Sequence, residues 1–255
     1  MSRDCLILGS GRSGTSLAAG MLARAGYFMG QELWPSNEGN PRGYFEDREV
    51  NSINDEILAP LTPAHSAHGL RKLLYGKGYP LRHLQRWLAV VSPRTRIPCP
   101  PGLAQRIEAA IARRPFCFKD PRFCYTLPLW RPYVGGAALI CIFRHPAVTA
   151  NSILTECKRA GYLKGVRMDF RRALAVWQTM YRHVLEVHYP AGGDWLFVHY
   201  DQLLNGDTVA RIESLLETKV DSAFGDPALK RSAGAGRIPR RIRRVYEQLC
   251  RLAGF

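Results

Sequence analysis

The sequence lacks the features that mark several common protein classes. None of its apolar runs approaches the roughly 20 residues of a membrane-spanning helix. The N-terminus enters a predicted strand directly, without the basic and apolar segments of a signal peptide. The seven cysteines contain no C-x-x-C pair, which disfavours both a disulfide framework and a zinc site. We therefore expect a cytoplasmic protein with reduced and mostly buried thiols.

Acidic residues are also scarce relative to basic ones. Aspartate and glutamate total 21 against 36 lysines and arginines, so the formal charge is +15. This excess favours an anionic partner such as a nucleotide, an acidic acceptor, nucleic acid or a membrane surface, although a generally basic surface explains it equally well. A chain of 255 residues with 46% hydrophobic residues can bury one core. We predict a single α/β domain over residues 1–255, with a central parallel sheet of about five strands flanked by helices.

A glycine-rich turn joins the first predicted strand to the first predicted helix. Cys5–Leu8 is a short apolar run, Gly9–Gly14 is the turn, and Leu17 and Met21 recur at helical spacing. Small residues let backbone N–H groups surround an anion, and the helix N-terminus adds a positive dipole end. The sequence therefore predicts a phosphate-like ligand on this turn. The candidate binding residues are Gly11, Arg12, Ser13, Gly14, Thr15 and Ser16.

Three phosphate-loop templates overlap in this turn. Its glycines fit the dinucleotide pattern G-x-G-x-x-G, and with Ser16 they fit most of the Walker A pattern G-x-x-x-x-G-K-[ST]. Thr15 replaces the Walker A lysine, which disfavours a magnesium–ATP site, and Glu32 follows no obvious strand end from which it could hold a ribose. Arg12 and the neighbouring hydroxyls instead suit one compact oxyanion, such as the 5′ end of a nucleotide.

Two motifs resemble a known family. Gly9–Ser16 resembles the 5′-phosphosulfate loop of sulfotransferases that use 3′-phosphoadenosine 5′-phosphosulfate, PAPS. Leu139–Pro146 followed by Ser152 resembles the family's 3′-phosphate motif, in which a strand ends in arginine and a serine lies on the next helix. His145 stands where the family usually has an acid. The resemblance implies that Arg144 and Ser152 bind the 3′-phosphate, and arginine is suited to phosphate recognition.

Two further segments resemble parts of the same family that lie at the active site. Asn40–Glu46 resembles a stretch of bacterial sulfotransferases, which implies that Glu46 is the general base. Lys119–Arg122 resembles the segment beside the active site, which implies that Lys119, together with Arg12, contacts the sulfuryl group or the leaving phosphate. The alternatives are a helix-terminal acid for Glu46 and a surface lysine–aspartate pair for Lys119. Asp120 also has the position of a Walker B acid.

The resemblance implies a PAPS-dependent sulfotransferase of P-loop-like fold. Such an enzyme transfers a sulfuryl group to the hydroxyl of a carbohydrate, lipid or natural product by in-line displacement, leaves adenosine 3′,5′-bisphosphate (PAP) and needs no metal. Two alternatives stay open: a P-loop nucleotide kinase or NTPase, and a basic protein that binds anionic polymers without catalysis. Nucleic acid is not the expected partner because the basic tail lacks interleaved aromatics, whereas peripheral membrane contact stays possible.

Three other segments have a predicted role. Trp34–Gly43 is rich in proline, glycine and asparagine, so we expect a loop that walls the active site. Residues 59–101 match the family least and form either a helical lid over the acceptor or an excursion packed on the core. His65 and His68 in that segment are a surface pair rather than a metal site. Residues 238–252 form a basic C-terminal helix, docked by an apolar stripe, whose arginine face could bind anions or lipid.

Overall fold

The computed structural model of the chain describes residues 2–37, 39–62, 81–221 and 236–255. Its strands are β1 (Cys5–Leu8), β2 (Cys117–Lys119), β3 (Ala138–Phe143) and β4 (Trp195–His199). Its α-helices are α1 (Thr15–Arg24), α2 (Arg48–Leu58), α3 (Leu103–Ala110), α4 (Phe123–Trp130), α5 (Pro146–Arg159), α6 (Phe170–His183), α7 (Tyr200–Leu204), α8 (Val209–Leu216) and α9 (Arg240–Ala253). A π-helical turn, Val184–His188, extends α6.

The four strands form one parallel sheet in the order β2-β1-β3-β4. Cys5 of β1 pairs with Cys117 of β2 on one side and with Ala138 of β3 on the other. Leu139 of β3 pairs with Trp195 of β4. All carboxyl ends therefore meet at one edge of the sheet, where α/β proteins bind their ligands. The predicted α/β class with a parallel sheet is confirmed.

The prediction of about five strands is wrong, because the described residues form four. At the edge of the sheet beside β2, Phe28 makes only an isolated parallel bridge with Phe116. Gly26 and Gly30 flank this bridge with φ angles of 91° and 128°, outside the extended region. The backbone therefore leaves the sheet edge after one pair of residues, and no ladder can form.

Both faces of the sheet are buried, as the apolar strand sequences require. Leu6 and Leu8 of β1 belong to a core shared with helices α2 to α6 and α9. Cys5 and Ile7 point to the opposite face, into a smaller core shared with α1, α7 and α8. Successive side chains of a strand point to opposite faces of the sheet. Because these strands are apolar throughout, both faces are covered by helices.

Helix α9 matches the predicted basic C-terminal helix closely. It begins after Pro239 and buries Ile242, Leu249 and Ala253 against the larger core. Arg240, Arg241, Arg243 and Arg244 are exposed on its other side. The apolar stripe therefore docks the helix while the arginines face solvent.

Parts of the variable segment lie outside the described residues. The structure describes residues 59–62 and 81–101 of it, with short 3₁₀ turns at Ala59–Leu61 and Arg86–Leu88. The predicted surface pair His65 and His68 lies outside the described residues. Across the described ranges, no helix has the length and apolarity to traverse a lipid bilayer.

Candidate active site

One cavity of about 420 Å³ lies at the carboxyl edge of the sheet, beside the ends of β1, β2 and β3. It is lined by nine of the ten predicted site residues: Gly11, Arg12, Gly14, Thr15, Ser16, Glu46, Lys119, Arg144 and Ser152. These residues come from four separate parts of the sequence. The fold therefore brings together the two phosphate motifs and the two segments predicted to carry catalysis.

The glycine-rich turn after β1 is closely packed on its surroundings. Gly9 has a φ of 147°, and a Cβ atom there would lie 2.1 Å from the carbonyl oxygen of Ile142 in β3. Gly14 has a φ of 96°, and its Cβ would lie 2.3 Å from the ring of Tyr200. Glycine is required at both positions because any side chain would clash with a neighbouring element.

A buried tyrosine hydroxyl anchors this turn from beneath. The Ser10 N–H donates to Tyr181 Oη at 3.1 Å, and the Tyr181 hydroxyl donates to the Ile142 carbonyl at 2.7 Å. Ser13 Oγ lies 3.1 Å from the same hydroxyl and 3.5 Å from Thr149 Oγ1. Burial raises the pKa of Tyr181 well above its ordinary value. Ser13, the tenth predicted residue, is fully buried and makes contacts that hold the turn rather than line the cavity.

Arg12 crosses from the turn to the opposite wall of the cavity. Its backbone has a φ of 71°, which is unusual outside glycine. Its Nε donates to Ser152 Oγ at 3.2 Å and one terminal nitrogen donates to the Gly39 carbonyl at 3.2 Å. The other terminal nitrogen lies 3.4 Å from Glu156 Oε2. Arg12 is thus held by three partners. Two of them, Ser152 and Glu156, lie on α5, so Arg12 connects the glycine-rich turn to that helix.

Glu46 and Lys119 form an ion pair inside the cavity. Lys119 ends β2 with its side chain 2% exposed, and its Nζ also donates to Ser16 Oγ at 3.3 Å. The Glu46 carbonyl accepts the Trp34 N–H at 3.0 Å. The next residue, Asp47, caps α2 with its carboxylate. The backbone bond of Glu46 and the side-chain cap of Asp47 therefore fix the segment that presents Glu46 to Lys119.

A buried polar network ties β2 to α2 behind this pair. Asp120 Oδ2 accepts from the amides of Asn51 at 2.8 Å and Asn54 at 3.0 Å. Asp120 Oδ1 accepts from the Arg122 N–H at 2.8 Å and from its guanidinium at 3.1 Å. Burial raises the pKa of Asp120, although the Arg122 charge opposes that rise. Asp120 therefore serves as a structural acceptor that holds the elements carrying Lys119 and Glu46.

Arg144 directly follows β3 and is almost buried, with 8% exposure. Its guanidinium carbon lies 4.3 Å from the ring centroid of Tyr200, and its carbonyl accepts the Trp177 indole N–H at 3.1 Å. Burial lowers the pKa of Arg144. Ser152 lies on α5, also 8% exposed, within the same cavity. A largely desolvated guanidinium in the same cavity as a hydroxyl is suited to binding an anionic oxygen strongly.

Two predicted wall segments do line this cavity. Eight residues of the Trp34–Gly43 segment line the cavity, so the predicted loop forms one side of it. Leu84 and Trp87, from the variable segment 59–101, form another. A Cβ at Gly11 would lie 2.6 Å from the Trp87 ring, so the turn and this wall are in direct contact. The described part of the variable segment therefore contributes to the cavity surface.

Sequence reasoning missed three residues that shape the site. Tyr181 lies on the buried apolar side of α6, and an apolar stripe carries no signal for the partners of a hydroxyl. Glu156 could have been found, because it lies one helical turn after Ser152 on the same face of α5. Tyr162 follows α5 and lines the cavity without any motif around it. Within the described ranges, no group of three or more His, Cys, Asp or Glu side chains is arranged to hold a metal ion.

Comparison with solved structures supports the fold. The chain is similar to a structure titled "Sulfotransferase Domain from the Curacin Biosynthetic Pathway", with a TM-score of 0.54, 14% identity and 98% of each chain covered. It is also similar to the "Sulfotransferase Domain from the Synechococcus PCC 7002 Olefin Synthase", with a TM-score of 0.52 and 19% identity. That match covers 99% of this chain and 94% of the other.

The sequence itself gives a more specific assignment. No curated protein matches it. The sequence model described as "Sulfotransferase family" matches residues 5–221, which include both phosphate motifs, Glu46 and Lys119. Because that match extends over most of the chain, the protein belongs to the sulfotransferase family.

Proposed function

We propose that this sulfotransferase moves a sulfuryl group from PAPS to the hydroxyl of a carbohydrate, lipid or natural-product acceptor. One observation carries the proposal: the phosphate loop, the Arg144–Ser152 pair and the Glu46–Lys119 pair all line the same cavity. A donor with two separate anionic groups needs two cationic subsites, and a transfer to a hydroxyl needs a base between donor and acceptor.

The chemistry of the lining side chains fits this donor. The N–H groups of the turn, the start of α1 and the Arg12 guanidinium would hold the 5′-phosphosulfate. Arg144 and Ser152 would hold the 3′-phosphate, the group that distinguishes PAPS from ordinary adenine nucleotides. When bound, PAPS supplies the activated sulfuryl group. Thr15 in place of the Walker A lysine and the structural engagement of Asp120 support this donor over magnesium–ATP.

Glu46 would accept the proton of the acceptor hydroxyl. Lys119 occupies its Oε1, and among the described residues no donor is bonded to Oε2. That second oxygen is therefore available for the acceptor hydroxyl. The ion pair and the backbone bond to Trp34 keep the carboxylate from rotating away, so the base is already oriented before substrate arrives.

Lys119 and Arg12 would stabilise the charge that grows on the leaving phosphate. The Lys119 side chain is 2% exposed and that of Arg12 is 25% exposed, so both charges act where little water screens them. Both are also oriented by hydrogen bonds before reaction, to Ser16 and Ser152 respectively. Cations fixed in this way cost no reorganisation during the transfer.

Calorimetric titration with PAP, ADP and ATP–magnesium tests the donor assignment. We expect tight binding of PAP alone, and loss of that binding in Arg144→Ala. Arg113→Ala is the matched control, because Arg113 also stacks on an aromatic ring, that of Phe28 at 4.9 Å, but does not line the cavity. Equal binding of ATP–magnesium, or unchanged PAP binding in Arg144→Ala, would favour a kinase or NTPase and overturn the proposal.

A further inference from the structure

The N-terminal half of helix α9 and the residues just before it carry a cluster of exposed arginines. Four of them line a surface groove of about 700 Å³, which Ile238 and Pro239 also line. Glu247 is the one carboxylate among the described residues that line this groove. We call the cluster the arginine face, and its members are Arg237, Arg240, Arg241, Arg243 and Arg244.

The charges of the arginine face are not matched by nearby carboxylates. Exposed arginines elsewhere on the molecule pair with acids, as Arg182 does with Glu186 at 2.7 Å. Within the described ranges, no guanidinium of the arginine face forms an ion pair or a side-chain hydrogen bond. Arg240 also lies one helical turn before Arg243 and Arg244, so like charges repel each other along the helix. A negatively charged partner would remove this repulsion, so the arginine face is complementary to an anionic surface.

Helix α9 crosses the edge of the sheet at which the cavity lies. Tyr246 packs on the ring of His145 with 5.1 Å between centroids, and its hydroxyl lies 3.2 Å from His199 Nε2. His145 follows β3 and His199 ends β4, so both mark the carboxyl edge. At the start of the arginine face, a Cβ on Gly236 would lie 2.7 Å from the ring of Phe170, the first residue of α6. Helix α9 therefore lies on the same side of the sheet as the cavity.

A second exposed feature on this side has the composition of a bilayer interface. Tyr162 lines the cavity and is 42% exposed. Two exposed cations, Arg159 and Lys164, flank it in the sequence. An amphipathic aromatic ring next to long basic side chains is the combination that proteins place at the headgroup level of a bilayer. This combination favours a bilayer as the anionic partner.

The dimensions of the arginine face also favour a bilayer over a soluble polymer. Arg240 to Arg244 span only about 6 Å of helix, at 1.5 Å per residue. So short a cluster suits the compact phosphate of a lipid headgroup better than an extended polyanion. The described residues of the groove include no aromatic ring on which a nucleic-acid base could stack.

We propose that the arginine face binds the phosphate groups of an anionic phospholipid bilayer, and that Tyr162 makes a second contact with the same bilayer. Guanidinium groups are suited to phosphate oxygens, and each basic side chain near an anionic bilayer strengthens binding about fivefold. The docked protein holds its cavity at the bilayer surface. Docking of this kind is independent of which donor the cavity binds.

Co-sedimentation with vesicles tests this docking. We expect the protein to bind vesicles of phosphatidylcholine mixed with phosphatidylserine, to ignore vesicles of phosphatidylcholine alone, and to dissociate as the salt concentration rises. Arg243→Glu should weaken binding about 25-fold, or about fivefold for each of two units of charge. Arg113→Glu is the matched control, because Arg113 is also exposed but precedes β2 at the opposite, amino edge of the sheet. It should leave vesicle binding nearly unchanged.

A second pair of variants tests the contact at Tyr162. Tyr162→Ser should weaken vesicle binding a few-fold, because an interfacial aromatic ring is lost. Tyr189→Ser should not, because Tyr189 is similarly exposed at 40% but packs beside Trp195, the first residue of β4, at the amino edge. Equal effects of the two variants would contradict the contact at Tyr162.

Three outcomes would overturn the docking of the arginine face. The first is no binding to phosphatidylserine vesicles. The second is an equal loss in Arg243→Glu and Arg113→Glu, which would show that only the net charge matters. The third is binding of heparin or of a nucleic acid without binding of vesicles, which would assign the arginine face to a soluble polyanion.

Discussion

The two ends of the cavity are built in different ways. At the end where we propose that the donor binds, the donor end, the cavity-lining groups follow directly from strand ends and helix starts, and Thr15 and Arg144 are 8% exposed or less. At the other end, where we propose that the acceptor binds (the acceptor end), the walls come from the irregular segment 34–44, from short 3₁₀ turns and from Tyr162, which is 42% exposed. The donor end is thus fixed by the packing of the whole core, whereas the acceptor end depends on local contacts of loops.

Glu46 and Lys119 lie where the two ends meet. Lys119 is the last residue of β2 and belongs to the sheet, whereas Glu46 precedes α2 and belongs to the loop wall. The Glu46–Lys119 ion pair is thus the contact between the rigid sheet and the loop wall. The difference between the ends therefore separates donor affinity from acceptor affinity, which mutagenesis can measure independently.

The largest effect is expected at the junction. Glu46→Gln keeps an oxygen for Lys119 but removes the proton acceptor, so kcat for transfer should fall about 10²- to 10⁴-fold. PAP affinity, measured by calorimetry, should change less than about twofold, since no net donor contact is lost. Glu32→Gln is the control, because Glu32 pairs with Arg48 on the surface and is 69% exposed. A kcat within a few-fold of wild type for Glu46→Gln would exclude Glu46 as the base.

A large effect confined to the donor end is expected at Arg144. Hydrogen bonds to charged groups are each worth about 1.5–3 kcal/mol, so Arg144→Ala should weaken PAP about 10- to 150-fold. ADP lacks a 3′-phosphate and should lose far less. Equal loss of PAP and ADP would show that Arg144 does not read the 3′-phosphate.

A smaller effect is expected at the tyrosine beneath the turn. Tyr181→Phe leaves the Ser10 N–H and the Ile142 carbonyl without a buried partner, so the free energy of unfolding should fall by about 1–3 kcal/mol. PAP affinity should fall several-fold because the turn loses its anchor. Tyr125→Phe removes a hydroxyl just as buried, bonded to the Ala89 carbonyl at 2.6 Å, and should cost stability alone. Urea denaturation and calorimetry distinguish these outcomes.

The smallest effect is expected at the helix cap that follows Glu46. Asp47 accepts the Val50 N–H at 3.0 Å and the Glu32 N–H at 3.1 Å, so it joins α2 to the loop wall. Asp47→Ala should lower the free energy of unfolding by about 1 kcal/mol, as for other lost caps. It should raise KM for the acceptor a few-fold without altering PAP affinity. A weaker PAP complex would instead show that the two ends are not independent.

Much of the donor end could be predicted from local sequence. A strand, a glycine turn and a helix are adjacent in the chain, so Gly9, Gly14 and the positions between them are set by short-range backbone geometry. Arg144 is predictable for the same reason, since it directly follows a buried strand whose apolar run is unmistakable. The number of strands was overestimated, since the described residues form four and Phe28 adds only an isolated bridge at the sheet edge.

The acceptor end was less accessible to sequence reasoning. Its aromatic side chains, Tyr44, Trp87 and Tyr162, share no motif and line one cavity only because three separate segments pack together. The contact of Tyr181 with the glycine-rich turn is equally inaccessible to sequence reasoning, because a hydrophobic stripe specifies a helix face but not the partner of one hydroxyl.

The sequence by itself thus determined the parallel α/β class and the glycine-rich turn after β1, because these depend on local periodicity and on conformations that only certain residues adopt. Only the tertiary structure decided that Arg12 reaches Ser152 and Glu156, that Lys119 meets Glu46, and which aromatic rings surround them. Those contacts join residues up to 144 positions apart, as between Arg12 and Glu156. Their formation depends on burial of the whole core, which no local pattern encodes.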